Sequence, residues 1–165
     1  MAQTGNRAAS TLAGFLQADS GVAAGIAAVT LRENVELASI PAAQILAQNV
    51  AAELAERTPG VKYPVVYVYC ERIENRLTEK FRRFSGIARL VTEVRASQDR
   101  LEGLEQRVQL YVEAVTEVLE NKRGKWTDGV FYGGGYEVKF DAVRHGGKNY
   151  LQTAKVMIDV HVSVS

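Results

Sequence analysis

One cysteine, two histidines, no excess of either charge and no long apolar run set the first bounds on this 165-residue sequence. A lone Cys70 cannot close an intrachain disulfide, and the first six residues lack the charged head and apolar run of a secretory signal. Folding inside a cell is therefore the expectation. The most apolar windows, such as residues 21–29, are too short and too rich in Ala and Gly to cross a bilayer, which predicts a soluble protein with no membrane partner. Twenty Lys and Arg against nineteen Asp and Glu leave a net charge of +1. That balance gives no global reason to expect a nucleic-acid or acidic partner, so any electrostatic function has to come from local patches.

Residues that carry chemistry are equally sparse. His145, His161 and Asp159 are a weak metal set without a third preplaced ligand, and solvated strand residues are the alternative. Cys70 sits in a Val/Tyr-rich stretch with no neighbouring histidine to activate it, as a small buried hydrophobe would. Gly133, Gly134 and Gly135 invite a phosphate-loop reading, but such loops lead into a helix and here a strand pattern follows. A bulge or hairpin entry is the better account. No nucleophile, acid and base stand together, so the expectation is a protein that is not an enzyme and holds no cofactor or metal.

What is present begins at the C-terminal end. Across residues 150–164, Ala154, Val156, Ile158, Val160, Val162 and Val164 alternate with Thr153, Lys155, Met157, Asp159, His161 and Ser163, the period of a half-buried strand. At about 3.3 Å per residue it reaches roughly 50 Å, more than a small domain needs, so another element has to cover its far end. Residues 136–143 alternate as well, and the glycines of Arg144, His145, Gly146, Gly147, Lys148 and Asn149 predict an antiparallel return.

Upstream, Ser39 and Pro41 followed by Leu46, Val50 and Leu54 predict a helix over residues 41–57, stopped by Thr58, Pro59 and Gly60. Two strands, 63–70 and 86–96, come next. A helix near 98–123 then has a capping box at Asp99 and Glu102 and a buried stripe of Leu104, Val108, Val115 and Leu119. Residues 1–40 read as an N-terminal arm, possibly helical, because bulky apolar residues are few before Asp19. With 47% hydrophobic content the chain supports one main domain with a real core. The fold expected is α+β: a mainly antiparallel four-stranded sheet with two helices packed on it, in the order α-β-β-α-β-β, over residues 41–165 plus the arm.

The connection 71–85 is the one stretch where function competes evenly with solvation. Arg72, Arg76, Lys80, Arg82 and Arg83 lie beside Glu71, Glu74 and Glu79, with Leu77, Phe81 and Phe84 interspersed. Apolar anchors ringed by arginine compose protein interfaces, and Arg with Phe can also stack single-stranded nucleic acid, although the three acids oppose that. A loop this long is expected to be mobile until it docks.

The run YPVVYV from Tyr63, the charged loop, the amphipathic helix, GVFYGGGYEV from Gly129 and the closing TAKVMIDVHV from Thr153 together resemble the tail terminator, or tail-completion, proteins of tailed bacteriophages. The resemblance covers about residues 41–165 and rests on element order and texture. It implies a virion protein assembled in the host cytoplasm as a homo-oligomeric ring, a hexamer, that caps the tail tube and joins it to the head or neck. Its partners would be the tail tube protein, a neck or connector protein, and phage DNA passing through without sequence-specific binding. Arg72, Arg76, Lys80, Phe81, Arg82, Arg83 and Phe84 would meet the tube or neck. Val160, Val162 and Val164, near the end of the overlong strand, would contact the neighbouring subunit. A neck or head-closure protein is the alternative within this class, and a small nucleic-acid-binding module the alternative outside it.

Overall fold

A computed structural model describes residues 2–165. The segment expected to be an arm is instead part of the core. Helix α1 (Ala2–Gln17) and helix α2 (Ala24–Glu33) meet at a bend of 51°. Ala8, Leu12 and Leu16 form one row and Ala9 and Ala13 another, all buried, and Val22, Ile26 and Val29 continue the apolar surface. The same cluster takes in Leu37, Ile40 and the inward residues of the sheet, so the start of the chain and residues 41–165 share one core.

Small side chains make this possible, because they let backbones approach closely. A Cβ on Gly25 would stand 2.7 Å from Ala114 O on the helix it crosses. A Cβ on Gly21 would stand 2.3 Å from Phe15 O, and this residue leaves the helical region (φ −89°, ψ −131°) to make the bend. Among the described residues no single helix is long and apolar enough to cross a membrane; the bent pair passes on length and composition alone.

The helix expected over residues 41–57 breaks into three pieces: a single 3-10 turn (Ala42–Gln44), strand β1 (Ile45–Leu46) and short helix α3 (Ala52–Arg57). Tertiary contacts override the helical spacing. Ile45 is buried, its carbonyl accepts Gln17 Nε2 at 2.7 Å, and Gln44 Nε2 donates to Pro64 O at 2.5 Å, while Leu54 of the anticipated apolar stripe is exposed.

The remaining elements are β2 (Val65–Asn75), β3 (Phe84–Gln98), helix α4 (Leu104–Glu120), β4 (Gly124–Thr127), β5 (Val130–Tyr132), β6 (Glu137–Phe140), β7 (Arg144–Gly146) and β8 (Asn149–Val164). Among the described residues there are thus four α-helices and one mixed eight-stranded sheet, which overturns the four-stranded, two-helix expectation. The sheet runs β1-β2-β3-β8-β5-β4, with β6 and β7 also on β8; β1 is parallel to β2 and every other pair is antiparallel. The excess length of β8 is accommodated inside the chain. β3 pairs it from Phe84↔Val164 to Gln98↔Tyr150, and β5, β6 and β7 share its other edge in sequence. The β7–β8 hairpin returns antiparallel around Gly147 at φ +67°, as anticipated.

Period-2 geometry separates the sheet's faces. Val66, Val68, Leu90, Val94, Val156, Ile158 and Val160 point to the helices, and α4 meets them with Leu104, Val108, Val115 and Leu119, all fully buried as its spacing predicts. The expected capping box is absent. Gly103 starts α4 in the left-handed region (φ +80°), and the Gln98 side-chain amide ties the preceding turn through Arg100 O and Glu102 O, both at 2.7 Å.

Candidate functional site

Strand pairing continues beyond its expected end, to Asn75 on β2 and from Phe84 on β3, so the charged connection shrinks to residues 76–83. Gly86 is needed at its base: a Cβ there would stand 1.9 Å from Glu74 O. Hydrogen bonds fix the loop. The Asn75 side chain accepts from Leu77 N (3.3 Å) and Ser85 N (3.1 Å) and donates to Arg83 O (3.2 Å). Ser85 accepts from Arg76 N at 3.0 Å through its carbonyl and from Glu79 N at 2.8 Å through Oγ. Arg83 N donates to Val164 O at 2.9 Å, and Ser163 Oγ donates to Glu79 Oε2 at 2.9 Å, so the loop is moored to the end of β8. A loop read from sequence as mobile therefore has an ordered base.

On that base Leu77 (φ +49°) and Phe81 (φ +63°) both occupy the left-handed region, which costs bulky residues on the order of 1–3 kcal/mol each. Leu77 is 63% exposed and Phe81 100% exposed. The fold thus holds two apolar side chains outward at a conformational cost. Arg76, Lys80, Arg82 and Arg83 surround them, all exposed. Arg76 is paired with Glu74 at 3.0 Å and Arg82 with Glu79 at 3.4 Å, which leaves the tip framed by local ion pairs rather than by a bare cationic patch.

The other site residues named from sequence lie elsewhere. Arg72 is exposed on β2 opposite Arg89. Phe84 is buried in the core across from Val164, so it is not an anchor for a partner. Val160 and Val162 are buried on the helix-facing side of β8, and only Val164 is half-exposed. Because β3 and β5 already flank that part of β8, the Val160 and Val162 side chains are not available to a neighbouring subunit.

Sequence reasoning missed a buried polar group on the sheet's opposite face. Glu93 accepts Tyr69 Oη at 2.6 Å and Arg95 Nε at 3.0 Å, and Lys155 Nζ stands 3.6 Å away. Arg95 lies 4.4 Å over the Tyr67 ring and donates to Val50 O, tying the segment before α3 to the sheet. Burial, reinforced by the Glu93 carboxylate, pushes the Tyr69 phenol up. The signal was there in part: Glu93 and Arg95 are two apart and share a face, but nothing local says which charged pair a distant segment will cover. The neighbouring Arg89 forms a fork with Asp159 (2.9 and 3.2 Å) and holds that carboxyl below its ordinary value, yet this pair stays partly exposed.

As for reactive groups, burial pushes the Cys70 thiol up, the direction opposite to activation. His145 sits in β7 against Tyr150 (ring centroids 5.1 Å apart), and His161 is exposed on β8, so the two histidines do not share a site. Compared with family models and with curated proteins, the chain matches none.

Proposed function

We propose that this protein is a structural, ring-forming subunit of a bacteriophage tail, a hexamer that caps the tail tube and joins it to the head or neck, and that it works by contact rather than catalysis. The observation carrying this reading is the β2–β3 tip: a fully exposed Phe81 beside Leu77, held in left-handed conformations on a hydrogen-bonded base. An apolar knob framed by local ion pairs suits insertion into an apolar pocket with a polar rim on a protein partner. A pre-ordered knob also loses little conformational freedom on docking. The tail tube protein is the partner this reading assigns to it, with DNA passing through the ring without sequence-specific contact. The sequence resemblance to tail terminators supports the phage setting.

Phe81→Ser tests it. The side chain touches solvent only, so the melting temperature should stay within about 2 °C and the oligomer mass should not change, consistent with the small effect of surface substitutions. Tail assembly with this variant should give tubes of uncontrolled length that fail to join heads. Normal tails would remove the loop from the mechanism. Binding of an oligonucleotide by the wild type, steeply salt-dependent and lost in Phe81→Ser, would favour the nucleic-acid module instead.

A further inference from the structure

The sheet ends in two edges that are unpaired among the described residues, and they are unlike each other. On one side β1 pairs only Val66 and Tyr67 of β2, and the chain then turns away through residues 47–50. The rest of the β2 edge borders an open groove of about 430 Å³, with Gly5 and Asn6 of α1 and residues 47–49 as its walls. On the other side β4 pairs only β5. Exposed edges of this kind are templates for strand pairing unless they are covered.

We infer that the two edges are complementary halves of one subunit contact, in which β4 of one copy adds to the free β2 edge of the next and the sheet continues across the interface. The inference rests on the ring reading above and assigns that ring its contact. Two features select β4 of a second copy as the occupant. Length is the first: a register shift between Cys70 and Arg72 bulges the β2 edge, which excludes a long flat strand and leaves room for a short one, and β4 has four residues. Charge is the second. Glu71 stands on the β2 edge outside the ion pair that Glu74 makes with Arg76, whereas Lys122 and Arg123 lead into β4 outside the ion pair that Lys125 makes with Asp128 at 2.8 Å. Trp126 packs inward on Phe15 and Tyr132, which turns Lys125 and Thr127 outward. Because the two edges differ, the contact is head-to-tail, and repetition closes a ring when the rotation from one copy to the next divides a full turn. The free edges are then buried only in the assembly.

Native mass spectrometry of three proteins tests this: wild type, Arg123→Glu/Lys125→Glu, and that pair combined with Glu71→Lys. The three substitutions fall on exposed side chains, so circular dichroism should report one fold throughout. The wild type should be a closed oligomer, the β4 variant should weaken it at least tenfold in dissociation constant, and the added Glu71→Lys should recover most of that loss. Carbodiimide treatment of the wild type should also link Lys125 of one copy to Glu71 of another. An oligomer indifferent to the β4 charges, or one whose cross-links map to other surfaces, overturns the β2–β4 contact and leaves the ring reading standing. A wild type that is monomeric at tens of micromolar overturns both.

Discussion

Replacing Leu12 by Asp is expected to unfold the protein, with a loss on the order of 4 kcal/mol or more. Leu12 lies in the middle of the α1 stripe, in the same cluster as Leu16 and the helix-facing residues of β2 and β3. A carboxylate there would be buried without a partner, one of the few single changes that reach this size. An arm would tolerate the change. The control is Gly14→Ala on the outer side of the same helix, where a Cβ would meet nothing within 4 Å, so the variant should be neutral or stabilised by about 0.5–1 kcal/mol. Denaturant unfolding followed by far-UV circular dichroism distinguishes the two. A Leu12→Asp protein with a wild-type midpoint would mean that α1 does not belong to the folded unit.

The second large effect is expected at Glu93. Glu93 is 5% exposed and Arg95 2% exposed, and Nη1 of Arg95 has no hydrogen-bond partner among the described residues. Glu93→Ala would take away the carboxylate that accepts from Nε and the other guanidinium nitrogen, leaving a buried cation with Val50 O as its remaining acceptor. Breaking a buried pair from one side costs about 3–5 kcal/mol, because the surviving charge keeps its desolvation penalty without compensation. Removing both charges should be far milder, so Glu93→Ala/Arg95→Met is expected to recover most of the loss. Denaturation midpoints of the two variants decide it. If the double variant is as unstable as the single one, packing around Tyr67 and Val50 and the acceptor lost to Tyr69 Oη are the larger contributions, not charge compensation.

Long, strongly periodic segments were legible. In α4 the three- and four-residue spacings named four of the residues that it buries, and in β8 the alternation named those that face the helices. Failures came where the period was short or its residues small. Strand β6 falls within residues 136–143, where alternation was read, but β1, β4, β5 and β7 are two to four residues each, too brief to establish alternation, so four expected strands became eight. The α1 stripe is built largely from alanine, whose weak hydrophobic signal conceals how closely its backbone lies on β2. There a Cβ on Gly5 would stand 2.6 Å from Cys70 Sγ. At the candidate site, the mixture of arginine and aromatic residues marked the β2–β3 connection from sequence, but only strand register separated Phe81 at the tip from Phe84 in the core.

The sequence by itself determined which side of β3 and β8 each residue occupies, because alternation is a local property of extended backbone and requires no partner. It placed Arg89, Glu93 and Arg95 together with Asp159 and Lys155 on the face turned away from the helices, and from sequence they read alike. Tertiary structure decided their fates. The chain leaving β1 runs back over one end of that face, where Val50 O meets Arg95, while Arg89 and Asp159 remain under partial solvent. Burial of a charge depends on which remote segment covers it, and loop closure over forty-five residues of sequence leaves no trace in the spacing of the residues that it covers.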